Sequence, residues 1–171
     1  MLTLELQRDE ALSDAQAKAC PDAAFFELWC QRTVHYLRQT SELLLADRFE
    51  ISLLLTTPEA IRLLNRDYRT RDSATNVLSF PSGLPVLEVL DEDSSSGGSS
   101  LQELGDLAFC AEVVQTEALA QDKALLDHWA HLTVHGVLHL AGLDHENDRE
   151  ATAMEAAEIR ILSNSGVENP Y

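Results

Sequence analysis

Basic residues are scarce in this chain: 12 Lys and Arg stand against 29 Asp and Glu, a formal charge of −17 over 171 residues. That balance excludes a general coat for nucleic acid, because such proteins draw most of their non-specific affinity from neutralising phosphates. Cysteine is sparse too, with Cys20, Cys30 and Cys110 making an odd set without C-x-x-C spacing. This argues against a disulfide framework or a cysteine-held zinc, and for small buried side chains in a reducing compartment. No apolar run approaches the roughly 18 residues that a membrane span needs. Met1 to Glu10 has neither a basic start nor an apolar stretch of the kind that directs export, so the expectation is a cytoplasmic protein. A hydrophobic content of 45% is enough for one core, and the length is too short for two ordinary domains, so residues 1–171 are expected to form one.

The few cations are unevenly spread. Residues 1–80 hold 9 of the 12 Lys and Arg against 12 acids, and residues 81–171 hold 3 against 17. Arg62, Arg66, Arg69 and Arg71 fall within ten positions, and the first three share a helical face by their i, i+4, i+7 spacing. A local cationic strip and a solvated helix face both fit that pattern.

The richest segment runs from His135 to His145, with histidines in H-x3-H-x5-H spacing. His135 and His139 are four apart, so on a helix both imidazoles project from one face on successive turns and can reach one ion. Gly142 can end that helix in a left-handed conformation and turn the chain so that His145 approaches the same ion from a loop. Three nitrogen ligands leave one tetrahedral position open, which is the mark of a catalytic rather than a structural zinc. His128 and His131 continue the face, so periodicity alone leaves the choice of three ambiguous; the glycine and the terminal Asp144-His145 pair favour 135, 139 and 145. A peptidase of the H-E-x-x-H type carries its general-base glutamate where this chain has Gly136. A metal can still lower the pKa of bound water to about 7, so a nuclease or another hydrolase moves ahead of a protease.

Hydrophobic patterning predicts a short edge strand over Leu2 to Leu6, a polar loop over 7–21, helix from Asp22 to about Ala46, and a strand from Phe49 to Leu55. Thr57-Pro58 supplies a cap and an N1 proline for a helix over Glu59 to Arg69, burying Ile61, Leu64 and Tyr68. Strands follow at Asn76 to Phe80 and Asp106 to Ala111, around a loop at 91–100 that lacks apolar residues and is expected to be flexible. Helices close the chain at Glu112 to Gln121, Lys123 to Ala141 and Asp148 to Leu162, with Trp129 and Leu132 as core and Met154, Ile159 and Leu162 turned inward. The sum is an α+β domain: a small mixed sheet of about four strands packed with helices, one of them a zincin-like metal helix.

Three segments stand out together: His135-Gly-Val-Leu-His-Leu-Ala-Gly-Leu-Asp-His145, Leu64-Asn-Arg-Asp-Tyr-Arg-Thr-Arg-Asp72 continued by Thr75-Asn-Val-Leu-Ser-Phe-Pro81, and Leu104-Gly-Asp-Leu-Ala-Phe-Cys110. In combination they resemble the YbeY family of metal-dependent endoribonucleases. Order and spacing agree over roughly residues 50–160. Leu143 replaces the family's usual tyrosine, and Arg71 stands where lysine is common. The resemblance implies one zinc ion, or another divalent transition metal, held by His135, His139 and His145, with Arg69 on the substrate side of the same cleft. It implies catalytic roles for Arg69 and His135, and substrate contacts from Arg62, Arg66, Arg71, Asn76 and Ser79. For Asn76 and Ser79, strand packing is the alternative, and Asp144 is placed either to orient an imidazole or at a solvated helix end. The implied substrate is single-stranded ribosomal RNA rather than DNA, and the implied partner is the small ribosomal subunit or its proteins, with no membrane. A metallopeptidase-like hydrolase and a non-enzymatic assembly factor with a structural metal are the rival readings.

Overall fold

The computed structural model describes residues 1–41, 44, 46–84, 87–89, 99–143 and 147–171. Along the chain these form β1 (Leu2–Arg8), α1 (Asp14–Ala19), α2 (Ala23–Thr40), β2 (Arg48–Thr56), α3 (Pro58–Arg69), β3 (Val77–Pro81), β4 (Leu87–Val89), β5 (Ser99–Cys110), α4 (Ala111–Ala120), α5 (Leu125–Leu140) and α6 (Asp148–Ser163). The sheet runs β1-β2-β5-β3, and short β4 also pairs with β5. β1, β2 and β5 are parallel, whereas β3 and β4 run antiparallel to β5, so the sheet is mixed as expected.

Alternation along the strands divides the apolar side chains between two faces. On one face Phe49, Ile51, Leu53, Leu55, Leu107 and Phe109 join α2, α5 and α6 in the main core. There Phe26, Phe109 and Trp129 meet with ring centroids 5.5–5.8 Å apart. Fully burying one large apolar side chain contributes roughly 1.5–3 kcal/mol. On the other face α3, with Val113 of α4 at its edge, covers a smaller cluster of Ile61, Leu78, Ala108 and Cys110. One-sided cover explains why Tyr68, expected inside, is 68% exposed: it stands at the rim of α3, edge-on to Phe80. Leu64 is only half-buried for the same reason.

The polar stretch 7–21 is not all loop. Ser13 and Gln16 cap each other reciprocally and start α1, a short helix that buries nothing and so leaves no apolar period to read. The α2 helix stops at Thr40, ahead of the Ala46 expected. β5 begins earlier than its apolar residues suggest, because the polar backbone at 99–103 pairs with β4 and β2. Ser99 and Ser100 of the expected loop therefore open a strand, while residues 91–98 lie outside the described residues. In α6, Met154 and Leu162 are buried as expected, but Ile161 replaces the half-buried Ile159 on the inner stripe.

Candidate metal centre and substrate cleft

Helix α5 crosses the main core with Trp129, Leu132, Val134 and Leu138 inward, and its backbone sits close to the sheet at Gly136. A Cβ at that position would lie 2.8 Å from Leu107 Cδ2 and 3.5 Å from Ser79 Oγ. The peptidase glutamate is therefore absent from a position that faces the sheet, where a side chain would press against Leu107. The helix ends at Leu140, and Gly142 takes φ +90°, the left-handed turn expected of it. His128, His131, His135 and His139 form a column along α5, with successive ring centroids 6.3, 6.3 and 4.6 Å apart.

Carboxylates from the neighbouring helices meet that column. The Oε2 of Glu117 on α4 lies 3.0 Å from His128 Nε2. Glu158 on α6 is fully buried and uses both oxygens, with Oε1 2.8 Å from His135 Nδ1 and Oε2 3.1 Å from His131 Nε2. The Tyr171 hydroxyl donates to the same Oε2. Burial by itself raises the Glu158 carboxyl, but the bonds from His131, His135 and Tyr171 outweigh it and hold the pKa at about 2. For His128 desolvation lowers the pKa, against the hydrogen bond it donates to Glu117, which raises it. The Cys30 thiol, buried in the core, is pushed up to about 12, which suits an inert apolar filler.

Opposite α5, helix α3 ends at Thr70 in the left-handed region, φ 58°, and delivers the segment 69–75 to the cleft. Arg69 Nη2 donates to Ser79 O at 2.8 Å, which anchors the guanidinium on β3. Arg69, Arg71, Thr75, Ser79, His135, His139 and Leu143 line one hollow of about 560 Å³. Thus Arg69, Arg71, Ser79, His135 and His139 are brought together. Arg62 and Arg66 are not: they pair on the surface with Asp72 at 2.6 Å and Asp67 at 2.8 Å. Asn76 sits between the cleft residues Thr75 and Val77, but its Nδ2 donates to Glu117 at 2.9 Å and its Oδ1 accepts from Val77 N at 2.6 Å. Its side chain ties β3 to α4. His145 and Asp144 lie outside the described residues. A second hollow of about 410 Å³ on the α3 face, lined by Leu54, Leu64, Tyr68 and Phe80, holds no histidine.

Among the described residues no group of three His, Cys, Asp or Glu is placed to hold a metal. The donor set still fits one. Two imidazoles stand on successive turns at the cleft, and one has its Nδ1 engaged by a carboxylate, which leaves Nε2 as the nitrogen with a lone pair for an ion. Sequence reasoning missed Glu158 and Asn65. Asn65 is buried beneath the cleft and donates to Ser73 O at 2.7 Å, holding the 69–75 segment against α3. The readable sign of Glu158 was an acid in the apolar stripe of α6 between Met154 and Ile161.

The family model described as Endoribonuclease YbeY matches residues 12–166. A relative named Endoribonuclease YbeY from Pseudomonas entomophila is 44% identical over 171 residues, covering 100% of this chain and 94% of the relative. Another of that name from Colwellia psychrerythraea is 43% identical over 151 residues, 88% of each chain. One from Hydrogenovibrio crunogenus is 48% identical over 123 residues, 71% of this chain and 72% of its own. The solution structure of TM1509 from Thermotoga maritima shares the fold, with a TM-score of 0.53 at 17% identity over 97% of this chain and 92% of that one.

Proposed function

Because the chain belongs to the YbeY endoribonuclease family, we propose that it is a metal-dependent enzyme that cuts single-stranded ribosomal RNA in the cleft between α3, β3 and α5. The observation that carries this reading is the convergence of His135 and His139 with Arg69 and Arg71 on one hollow. His135, His139 and His145 are the residues to hold the ion, with zinc the first choice for a set of imidazoles. A divalent ion bound there supplies Lewis-acid polarisation of a phosphoryl oxygen and a lowered pKa for attacking water.

The rest of the chemistry belongs to the chain. Arg69, fixed by its bond to Ser79 O, offers its other N–H groups to the non-bridging phosphate oxygens and stabilises the charge that builds up on them during displacement. Arg71 adds a second positive charge on the same wall, which helps draw a polyanion into an otherwise acidic molecule. Arg62 and Arg66 must leave their aspartates to reach RNA, so their contribution is weaker. Asn76 and Ser79 support the wall through β3. Most of the surface repels RNA, and the small ribosomal subunit or its basic proteins are the fitting recruiter. The same reading takes the chain as one catalytic domain working in the cytoplasm; no helix among the described residues is long and apolar enough to cross a membrane.

The test is incubation of pure protein with structured RNA, unstructured RNA and unfolded protein, each with and without chelator. Chelator-sensitive cutting of unstructured RNA alone is expected. Cleavage of the protein substrate instead would restore the peptidase reading. A protein that cuts no RNA at any metal concentration and unfolds when chelated would make the metal structural.

A further inference from the structure

Glu158 lies outside every motif the sequence offered, yet it is the only buried carboxylate among the described residues. It sits on α6, 23 positions beyond His135, and reaches across to α5 with both oxygens. A carboxylate accepts hydrogen bonds and does not donate them. The contact at 2.8 Å therefore requires the proton of His135 to be on Nδ1, and the contact at 3.1 Å requires that of His131 to be on Nε2. The Tyr171 hydroxyl is a third donor, and its ring stands edge-on to His131 at 5.5 Å. Lys123 Nζ in turn donates to Pro170 O at 2.5 Å, pinning the segment that carries the tyrosine.

We infer that Glu158 is the positioning residue of the metal centre: it fixes the tautomer and ring orientation of His135 so that Nε2 is presented to the cleft, with His131 and Tyr171 holding the carboxylate itself in place. A negative partner on Nδ1–H also makes the imidazole a stronger donor to a cation. His131 is thereby assigned a role that its place in the histidine column did not reveal, as a brace that acts through Glu158 on His135. Tyr171 ties the 167–171 segment to the same centre. This rests on the metal reading given above.

The test reads metal affinity and tautomer, not cleavage. Zinc is stripped and returned to the parent, Glu158→Gln, Glu158→Ala and Tyr171→Phe in competition with a chromogenic chelator. Binding is expected to weaken about 10-fold in Glu158→Gln and about 100-fold in Glu158→Ala, with a smaller loss in the same direction for Tyr171→Phe. In the zinc-free parent, ring nitrogen NMR is expected to show His135 protonated at Nδ1, and Glu158→Ala is expected to mix the two tautomers. Parent-like affinity and tautomer in Glu158→Gln overturn the inference; should the Glu158 variants fail to fold, unchanged affinity in Tyr171→Phe overturns it. A parent that takes up no zinc, or a His139→Ala variant that still takes it up, overturns the metal centre itself and this inference with it.

Discussion

The two halves of α5 carry the same residue on the same face and use it differently. In the first half, His128 is 3% exposed and bound to Glu117. In the second half, His135 has 26% of its side chain exposed, and it lines the cleft beside His139. His131 stands between them, bound to Glu158. Helical periodicity cannot separate these four, because it fixes direction and not surroundings. The neighbours do: α4 and the 167–170 segment close over the first half, and the second half opens toward α3. A column of histidines thus divides into a packed end and a cleft-facing end according to what lies across from each turn.

The sharpest way to break that division is to exchange losses between the ends. His139→Ala is expected to abolish both zinc uptake and RNA cleavage while leaving the thermal midpoint close to the parent's, measured by elemental analysis, a cleavage assay and a melt. Arg69→Ala is expected to keep its zinc and lose roughly 10²–10³ in kcat; cleavage at the parent rate would remove Arg69 from the chemistry. His128→Ala is expected to do the reverse, keeping zinc and costing about 2 kcal/mol of stability through the cavity and the partner lost by Glu117. Its pH dependence sharpens the point. Burial lowers the folded His128 pKa below 6.5, so the unfolded chain binds that proton more readily. The neutral-histidine contribution is therefore present above pH 6.5 and lost as the pH falls toward the lowered folded value. Denaturant melts across that window should show the loss in the parent and not in His128→Ala. At the small end, Arg62→Ala is expected to change cleavage by no more than about twofold, since its partner is an exposed aspartate.

Much of the frame was readable because local chemistry punctuates it. Thr57 caps α3 with Pro58 at N1, Pro81 ends β3, and Gly142 turns the chain after α5. The misses share another cause. Helix α1 has no buried residue, the polar start of β5 is a strand only because two partners pair with it, and Tyr68 is exposed because it stands at the rim of α3 against Phe80. Each depends on what another segment does. The site divides in the same way: His135, His139 and Arg69 belong to compact motifs, whereas the Glu158 contact spans 23 residues and leaves no spacing to recognise.

Gly136 has a mechanical consequence. With Leu107 directly beneath it, this residue sets the standoff between helix and sheet. Its chain neighbour His135 and nearby His139 ride on that standoff, so a methyl group introduced there would press on the tip of the Leu107 side chain, and whatever that tip did not yield would be passed to both rings. If His135 and His139 hold the proposed ion, a packing defect beside them would register as a mistuned grip on it before it registered as a melted core.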